Sequence, residues 1–470
     1  MIDPRVETFP EPPSVVRRRT VLAGAAWAVP AVVLTSASPA FAASGARVSI
    51  TQAPKESFAC QATTGPLIAH VDSSTNAGQL VQFSLPSGWR WVNGSGSYVT
   101  DAHGDATVQA GDFVVGTTTG TVVATAAGST AVAELEVTGV GALSTDWSAG
   151  AFPAGENSRL IRVYGVGRGT VAVKTTGDIW SRSPGGAWAQ IGTAADTTAQ
   201  AAVYIDGSQT SAALWVASGV LHLGSAAVVF SSGANSDFAR VASCGPIAMA
   251  VKTNGEVWRW EDGGSWSQLD TGVTDDLDQL GPVWDKSTGI TFYWIKGGVI
   301  FSSAGGPITL GTGQNSGVRR LYVASLRDGD DTNLVAVKTN GDVWVYAAST
   351  GWRFPATGAE TGGEQASPAA TGNSGGTALT IHEGVLEFEG KAEYVTLPSG
   401  EKNEDFCRVA GPAGVSLAVK RDGTLYGTYN NVGQDWARIA TNAATGYSQM
   451  ALGGENGARG GGFWISPASC

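Results

Sequence analysis

The amino-acid sequence predicts an all-β protein made of two kinds of domain, one non-repeating and one built from repeats. Three observations carry this. Glycine accounts for 65 of the 470 residues, whereas charged residues make up only 15%. Glycine supplies the positive φ angles of tight turns, so this balance favours many short strands over helices. Apolar residues reach 43%, with 16 tryptophans, which is enough to fill cores and too much for a disordered chain. From about residue 158 onwards the chain repeats itself at regular spacing, the mark of a repeat architecture.

The first 42 residues read as an export signal rather than as part of the fold. Arg17, Arg18 and Arg19 precede a modest apolar run from Val21 to Leu34, and Ala40-Phe41-Ala42 supplies the small residues of a cleavage site, placed after Ala42. The stretch Arg18-Arg19-Thr20-Val21-Leu22 resembles the twin-arginine signal, with Arg18 and Arg19 as its pair. Arg17 departs from that pattern, which usually has Ser or Thr there. The alternative is an ordinary secretory signal that happens to hold three arginines. No run of about 20 apolar residues occurs anywhere, so no membrane span is expected in the mature chain. With no sorting motif or apolar tail at its C-terminus, the mature chain is expected to be secreted and extracellular, or loosely held at the cell surface.

Net charge is −11; without residues 1–42 it becomes −12, from 25 basic against 37 acidic residues. An acidic surface argues against nucleic acid as a partner, because phosphate binding calls for a basic patch.

Residues 46–138 alternate apolar and polar over short runs such as Val48-Ser49-Ile50, Leu80-Val81-Gln82-Phe83 and Ala133-Glu134-Leu135-Glu136-Val137. Turn residues punctuate them, which predicts a β-sandwich. Three stretches carry a resemblance: Gln82-Phe83-Ser84-Leu85-Pro86-Ser87-Gly88, Val99-Thr100-Asp101-Ala102-His103-Gly104-Asp105-Ala106, and Gly120-Thr121-Val122-Val123-Ala124-Thr125-Ala126. They resemble the bacterial immunoglobulin-like domain of the invasin/intimin group. That resemblance implies a spacer or adhesive module, not a catalyst.

Four segments align in the remainder, residues 139–470: VAVKTTGDIW (171–180), MAVKTNGEVW (249–258), VAVKTNGDVW (335–344) and LAVKRDGTLY (417–426). Each is followed by a second aromatic, at Trp188, Trp266, Trp352 and Trp436. A second family lies between them: LWVASGVLHL (214–223), YWIKGGVIFS (293–302) and LTIHEGVLEF (379–388). The first segments start 78, 86 and 82 residues apart, so the unit is half that, about 40 residues, in two alternating versions. A unit of that length with four short strands is one blade of a β-propeller. Within it, Ala-Val-Lys alternates across a strand, and Gly177, Gly255, Gly341 and Gly423 supply the tight hairpin. The recurrent tryptophans are expected to pack between blades; exposed aromatics for stacking on sugars are the alternative.

The last unit stops early, at Phe463-Trp464-Ile465-Ser466-Pro467. Its missing half, Gly141-Ala142-Leu143 with Phe152, stands directly before the first complete unit. The closing blade is therefore expected to take inner strands from the C-terminus and outer strands from 139–155, giving eight blades, or seven if 359–400 is incomplete. Closure removes free sheet edges. The Lys-x-x-Gly-x-Val-Trp core resembles the regulator-of-chromosome-condensation repeat and the tectonin repeat. The endings Trp188 to Ile191, Trp266 to Leu269 and Trp436 to Ile439 lean towards tectonin, and an Asn431-Val432-Gly433-Gln434 echo towards the former. The resemblance implies a binding platform for proteins or glycans.

Chemistry is sparse. His70, His103, His222 and His382 show no triad or metal spacing, and His222 and His382 are expected at the surface. Cys60, Cys244, Cys407 and Cys470 permit two bridges in three pairings, or four free thiols. Asp275, Asp276 and Asp278, and the loop Asp328-Gly329-Asp330-Asp331, read as solvated acidic loops, with a calcium site at the second as the alternative. Glu387 and Glu389 share one face of a strand, an outward polar face rather than a catalytic carboxylate pair. No catalytic residue, cofactor or metal ligand is therefore predicted. The expected function is a monomeric, secreted, non-catalytic protein that binds a glycan, cell-wall polymer or extracellular protein. A polysaccharide hydrolase or lyase with a channel active site, and a structural cell-surface component, are the alternatives.

Overall fold

The computed structural model describes residues 46–467 apart from short segments, the longer being 146–151, 194–200, 206–210, 274–278, 325–332, 360–365, 429–435 and 454–460. The export segment, with Arg18, Arg19 and Ala42, lies outside the described residues, as does Cys470.

Alternation builds the first two sheets. Leu67–Asp72 turns Leu67, Ala69 and Val71 inward and lies between Arg47–Gln52 and Asp105–Val108. A four-stranded antiparallel sheet orders Ser129–Leu135, Gly120–Ala126, Leu80–Ser84 and Ser97–Val99. It sends Val81, Phe83, Val122 and Ala124 into the same core as Leu67 and Val71. Trp89 and Phe113 stack in that core with centroids 6.0 Å apart. The turn at Asp101 shows why its residues recur. Its carboxylate accepts the backbone N–H groups of His103 at 2.8 Å and Asp105 at 3.0 Å. These bonds, the one from Asp105 foremost, hold the Asp101 carboxyl below its ordinary pKa. Gly104 has φ of +91°, and a Cβ there would come within 2.8 Å of the Val71 carbonyl oxygen.

The remainder is a succession of antiparallel meanders. Four-stranded sheets begin at Ala202–Ile205, Phe238–Cys244, Leu280–Asp285, Val318–Ala324 and Phe406–Ala410, and a three-stranded one at Ala366–Thr371. The seven-stranded sheet consists of two parts joined by the single pair Gly141 with Leu160. One part is Leu160–Val166 through Ala189–Gly192; the other is Met450–Gly453, Gly461–Pro467 and Gly141–Thr145. The first strand of each sheet packs against the first strand of the next, from Leu160–Val166 round to Met450–Gly453 and back to Leu160–Val166. Meander sheets arrayed radially about such an inner ring form a β-propeller. At the seam, Gly461–Pro467 pairs with Met450–Gly453 on one side and Gly141–Thr145 on the other, with Trp464 opposite Met450 and Leu143 opposite Ile465.

The tryptophans fill the spaces between sheets. Trp180 and Trp188 join Leu143 and Phe463; Trp258 and Trp266 join Leu214 and Leu221; Trp344 joins Tyr293 and Ile300. Tyr426 and Trp436 repeat the arrangement against Leu379 and Leu386. Phe152 stacks on Trp188 at 4.4 Å. A buried tryptophan removes roughly 150–250 Å² from water, an upper bound of about 4–6 kcal/mol each against an extended chain.

The cysteines correct the sequence expectation. Cys60 is in a disulfide, so four free thiols do not occur. Cys244 and Cys407 are buried and not disulfide-bonded, so two bridges do not form either. Cys244 belongs to a core cluster with Ile247 and Phe292, and Cys407 to one with Leu417 and Val419; each acts as a small hydrophobe.

Candidate functional site

The lysine of each Lys-x-x-Gly hairpin is a structural cation. Lys174, Lys252, Lys338 and Lys420 are all buried. Their ammonium groups reach the Glu156 carboxylate at 2.5 Å, the Glu256 carboxylate at 3.4 Å, the Gln314 carbonyl at 3.0 Å and the Lys402 carbonyl at 2.6 Å. Lys174 also lies over the Trp180 ring at 5.2 Å, Lys252 over Trp258 at 5.3 Å and Lys420 over Tyr426 at 5.4 Å. The pairing explains why lysine and an aromatic recur together without any ligand.

Sequence reasoning missed two further recurrent residues. Asn157, Asn235, Asn315 and Asn403 each accept the N–H and donate to the C=O of one strand residue: Leu143, Leu221, Ile300 and Leu386 respectively, at 2.7–3.0 Å. Two positions later Arg159, Asp237, Gly317 and Asp405 have positive φ, which turns the chain into the next sheet. The signal was an Asn two residues before that turn and three before an apolar strand start, at a separation varying from 14 to 17 residues.

The second recurrent residue is an arginine. Arg162, Arg240, Arg320 and Arg408 follow a β-bulge at the same place in four of the inner strands. Arg162, Arg320 and Arg408 are buried. The Arg408 guanidinium donates to the Glu136 carboxylate at 3.1 Å, tying the propeller to the segment that leads into it. Buried Gln449 donates its amide to the carbonyls of Gly139 at 2.8 Å and Ile161 at 2.9 Å.

A surface cleft of ≈ 570 Å³ opens beside the outer strand Ala437–Ala440, lined by Leu397, Pro398, Ser399, Glu401, Trp436 and Arg438, among others. The Glu401 carboxylate accepts the Tyr426 hydroxyl at 2.6 Å and the Arg438 guanidinium at 3.3 Å. Burial, with the Glu401 hydrogen bond and charge, raises the Tyr426 hydroxyl well above its ordinary pKa, so it stays a donor. The cleft therefore joins an apolar wall to a carboxylate and a half-exposed guanidinium.

The histidines stay apart. The His70 ring meets the Asp105 carboxylate at 2.8 Å, and His103 is exposed in its turn. His222 is half-buried: its ring stacks on Trp215 at 4.2 Å, and burial lowers its pKa. His382 is 42% exposed at its side chain and lies 3.6 Å from Glu387. Glu387 alternates with buried Leu386 and Phe388 and is 14% exposed, with its carboxylate beside the His382 ring. Glu389 and the acidic groups Asp275, Asp276, Asp278, Asp328, Asp330 and Asp331 lie outside the described residues. Among the described residues no group of three His, Cys, Asp or Glu is placed to hold a metal ion. No helix among them is long and apolar enough to cross a membrane.

Fold and site thus define a β-propeller with a polar surface cleft, preceded in the chain by two antiparallel sheets that share one core. No protein-family model matches the chain, and no curated protein matches it. Solved structures similar to it include a computationally designed protein, Ika8, at 14% identity over 66% of this chain and 98% of that one, with a TM-score of 0.38. Prp20p of Saccharomyces cerevisiae is similar at 11% identity over 67% and 84%, with a TM-score of 0.36. Sqt1 of the same organism is similar at 12% identity over 65% and 96%, with a TM-score of 0.42.

Proposed function

We propose that this chain is an exported, non-catalytic binding protein: an eight-bladed propeller that presents a glycan or cell-wall polymer site, with an immunoglobulin-like sandwich attached. The observation that carries the reading is the cleft at Glu401 and Arg438. Leu397 and Pro398 offer apolar surface, while Ser399, Glu401 and Arg438 offer acceptors and donors. A pyranose presents that same mixture of C–H faces and hydroxyls, and few convergent polar groups on an apolar wall are the usual make-up of a small-ligand site. Eight blades follow from four repeats of each alternating version. Export is supported by Arg18 and Arg19 ahead of the apolar run and by the disulfide at Cys60, since disulfides persist in oxidising compartments. The net charge of −11 leaves nucleic acid an unsuited partner.

The test is a binding screen of residues 43–470 against soluble glycans and wall polysaccharides. Saturable binding that weakens about tenfold or more in both Glu401→Ala and Arg438→Ala supports the reading, on the scale of one lost charge-assisted hydrogen bond. Binding that both variants leave intact moves the site elsewhere on the propeller. Silence across the panel overturns the glycan reading in favour of a protein partner or a structural role.

A further inference from the structure

The cleft at Glu401 and Arg438 lies where the repeat is broken. In the sheets that begin at Ala202–Ile205 and Leu280–Asp285, the third strand leads to a short outer strand, Ala226–Ala227 and Gly306–Pro307 respectively. The sheet that begins at Ala366–Thr371 has three described strands, and a single 3-10 turn at Ala392–Tyr394 follows the third, Val385–Phe388. The connection is also longer. Asn403 clamps Leu386 across 17 positions, against 14 or 15 for the other three asparagines. Where one copy departs from an otherwise consistent repeat, a role other than folding is the expected reason.

The turn is firmly built. Phe388 and Lys391 exchange backbone hydrogen bonds at 3.1 and 3.2 Å, and the Val395 N–H donates to the Ala392 carbonyl at 3.0 Å. The Lys391 ammonium donates to the Tyr394 hydroxyl at 2.9 Å and lies over its ring, 4.7 Å from the centroid. The Phe388 ring stands 6.5 Å away. Tyr394 is nonetheless 41% exposed; among the described residues Phe354 is the one other exposed aromatic. Alternation sets the ring beside the cleft. Tyr394, Val395 and Thr396 are exposed, buried and exposed in turn, and the Val395 backbone is extended. Tyr394 and Thr396 therefore turn to the same side, about 7 Å apart along the chain. Thr396 lines the cleft with Leu397, Pro398 and Ser399.

Resting on the glycan reading of the cleft, we infer that Tyr394 is the platform of a second subsite, so that the ligand is a sugar chain rather than a single sugar. One residue of the chain sits in the cleft, where Glu401 and Arg438 exchange hydrogen bonds with its hydroxyls. The next lays its C–H face on the exposed part of the Tyr394 ring. An aromatic ring offers a flat apolar surface whose face carries negative potential, which attracts C–H groups. Lys391 holds this ring in place before any ligand arrives, so little freedom is lost on binding.

Titration of residues 43–470 tests the subsite, by calorimetry for oligomers and by saturation-transfer NMR for free sugars. The probes are glucose, mannose, galactose and N-acetylglucosamine, each as the free sugar and as its β-1,4-linked tetramer. The expected result is a tetramer that binds about tenfold or more tightly than its free sugar. Tyr394→Ala should remove that gain and leave the free sugar's affinity within about twofold. Tyr394→Phe, which keeps the ring, should retain the gain, and Glu401→Ala should weaken both ligands. An unchanged Tm in the Tyr394 variants, whose side chain is exposed, shows that the fold is intact. A tetramer that binds no more tightly than its free sugar, or a gain that survives Tyr394→Ala, would overturn the second subsite and leave the cleft to be judged by Glu401→Ala. Silence from every probe would overturn the subsite together with the glycan reading beneath it.

Discussion

His222 shows how one neighbour redefines a residue. Its ring lies flat on Trp215, and burial disfavours the imidazolium, so the folded chain binds this proton more weakly than the unfolded chain. The sign follows by linkage. The stability tied to neutral His222 is complete above the unfolded pKa of about 6.5, and it is lost as pH falls below that towards the depressed folded value. Scanning calorimetry at pH 7.5 and pH 5 should show a lower Tm at the acid end. His222→Phe, which keeps a stacked ring without a titrating group, should shrink that difference. Asp101 and the buried hairpin lysines make the same point in reverse: their polar groups are satisfied locally, so their chemistry serves the fold.

Elements are joined by side chains that no periodicity announces. Asn403 fills both backbone positions of Leu386, and Asn157, Asn235 and Asn315 do the same for Leu143, Leu221 and Ile300. Asn403→Ala would leave the Leu386 N–H and C=O without those bonds, at a cost of about 1–3 kcal/mol. A lower urea midpoint, together with faster amide exchange at Leu386, is the expected outcome; an unchanged midpoint would show that water replaces the clamp. The hairpins, by contrast, are written locally. Gly255 has φ of +86°, and a Cβ there would approach the Val273 carbonyl oxygen to 2.5 Å, so glycine is the only residue that fits without a shift.

For the molecule as a whole, the inserted strand matters more than its length suggests. Gly461–Pro467 is the middle strand of the closing sheet, and it buries Phe463, Trp464 and Ile465. Deleting residues 461–470 should therefore abolish cooperative unfolding in calorimetry and cause association in light scattering, because two strand edges are uncovered at once. Deleting 468–470 alone spares every pair of that ladder and should give a milder loss.

By itself the sequence determined the strands, the hairpins, the alternating repeat and the split of the closing repeat between Gly141-Ala142-Leu143 and Phe463-Trp464-Ile465. Those features rest on local physics: a period of two along a strand, positive φ at glycine, and aromatic burial recurring at one place per repeat. Tertiary structure alone decided the rest. Gln449 reaches Ile161 across 288 positions and Arg408 reaches Glu136 across 272, distances over which no spacing rule operates. The cleft was equally hidden, since Glu401 and Arg438 stand 37 residues apart and neither is an unusual residue in its own segment. The state of the cysteines was decided in the same way. Packing buries Cys244 and Cys407 within separate core clusters, and only the folded seam brings Gly141 alongside Pro467 at the end of the last described strand.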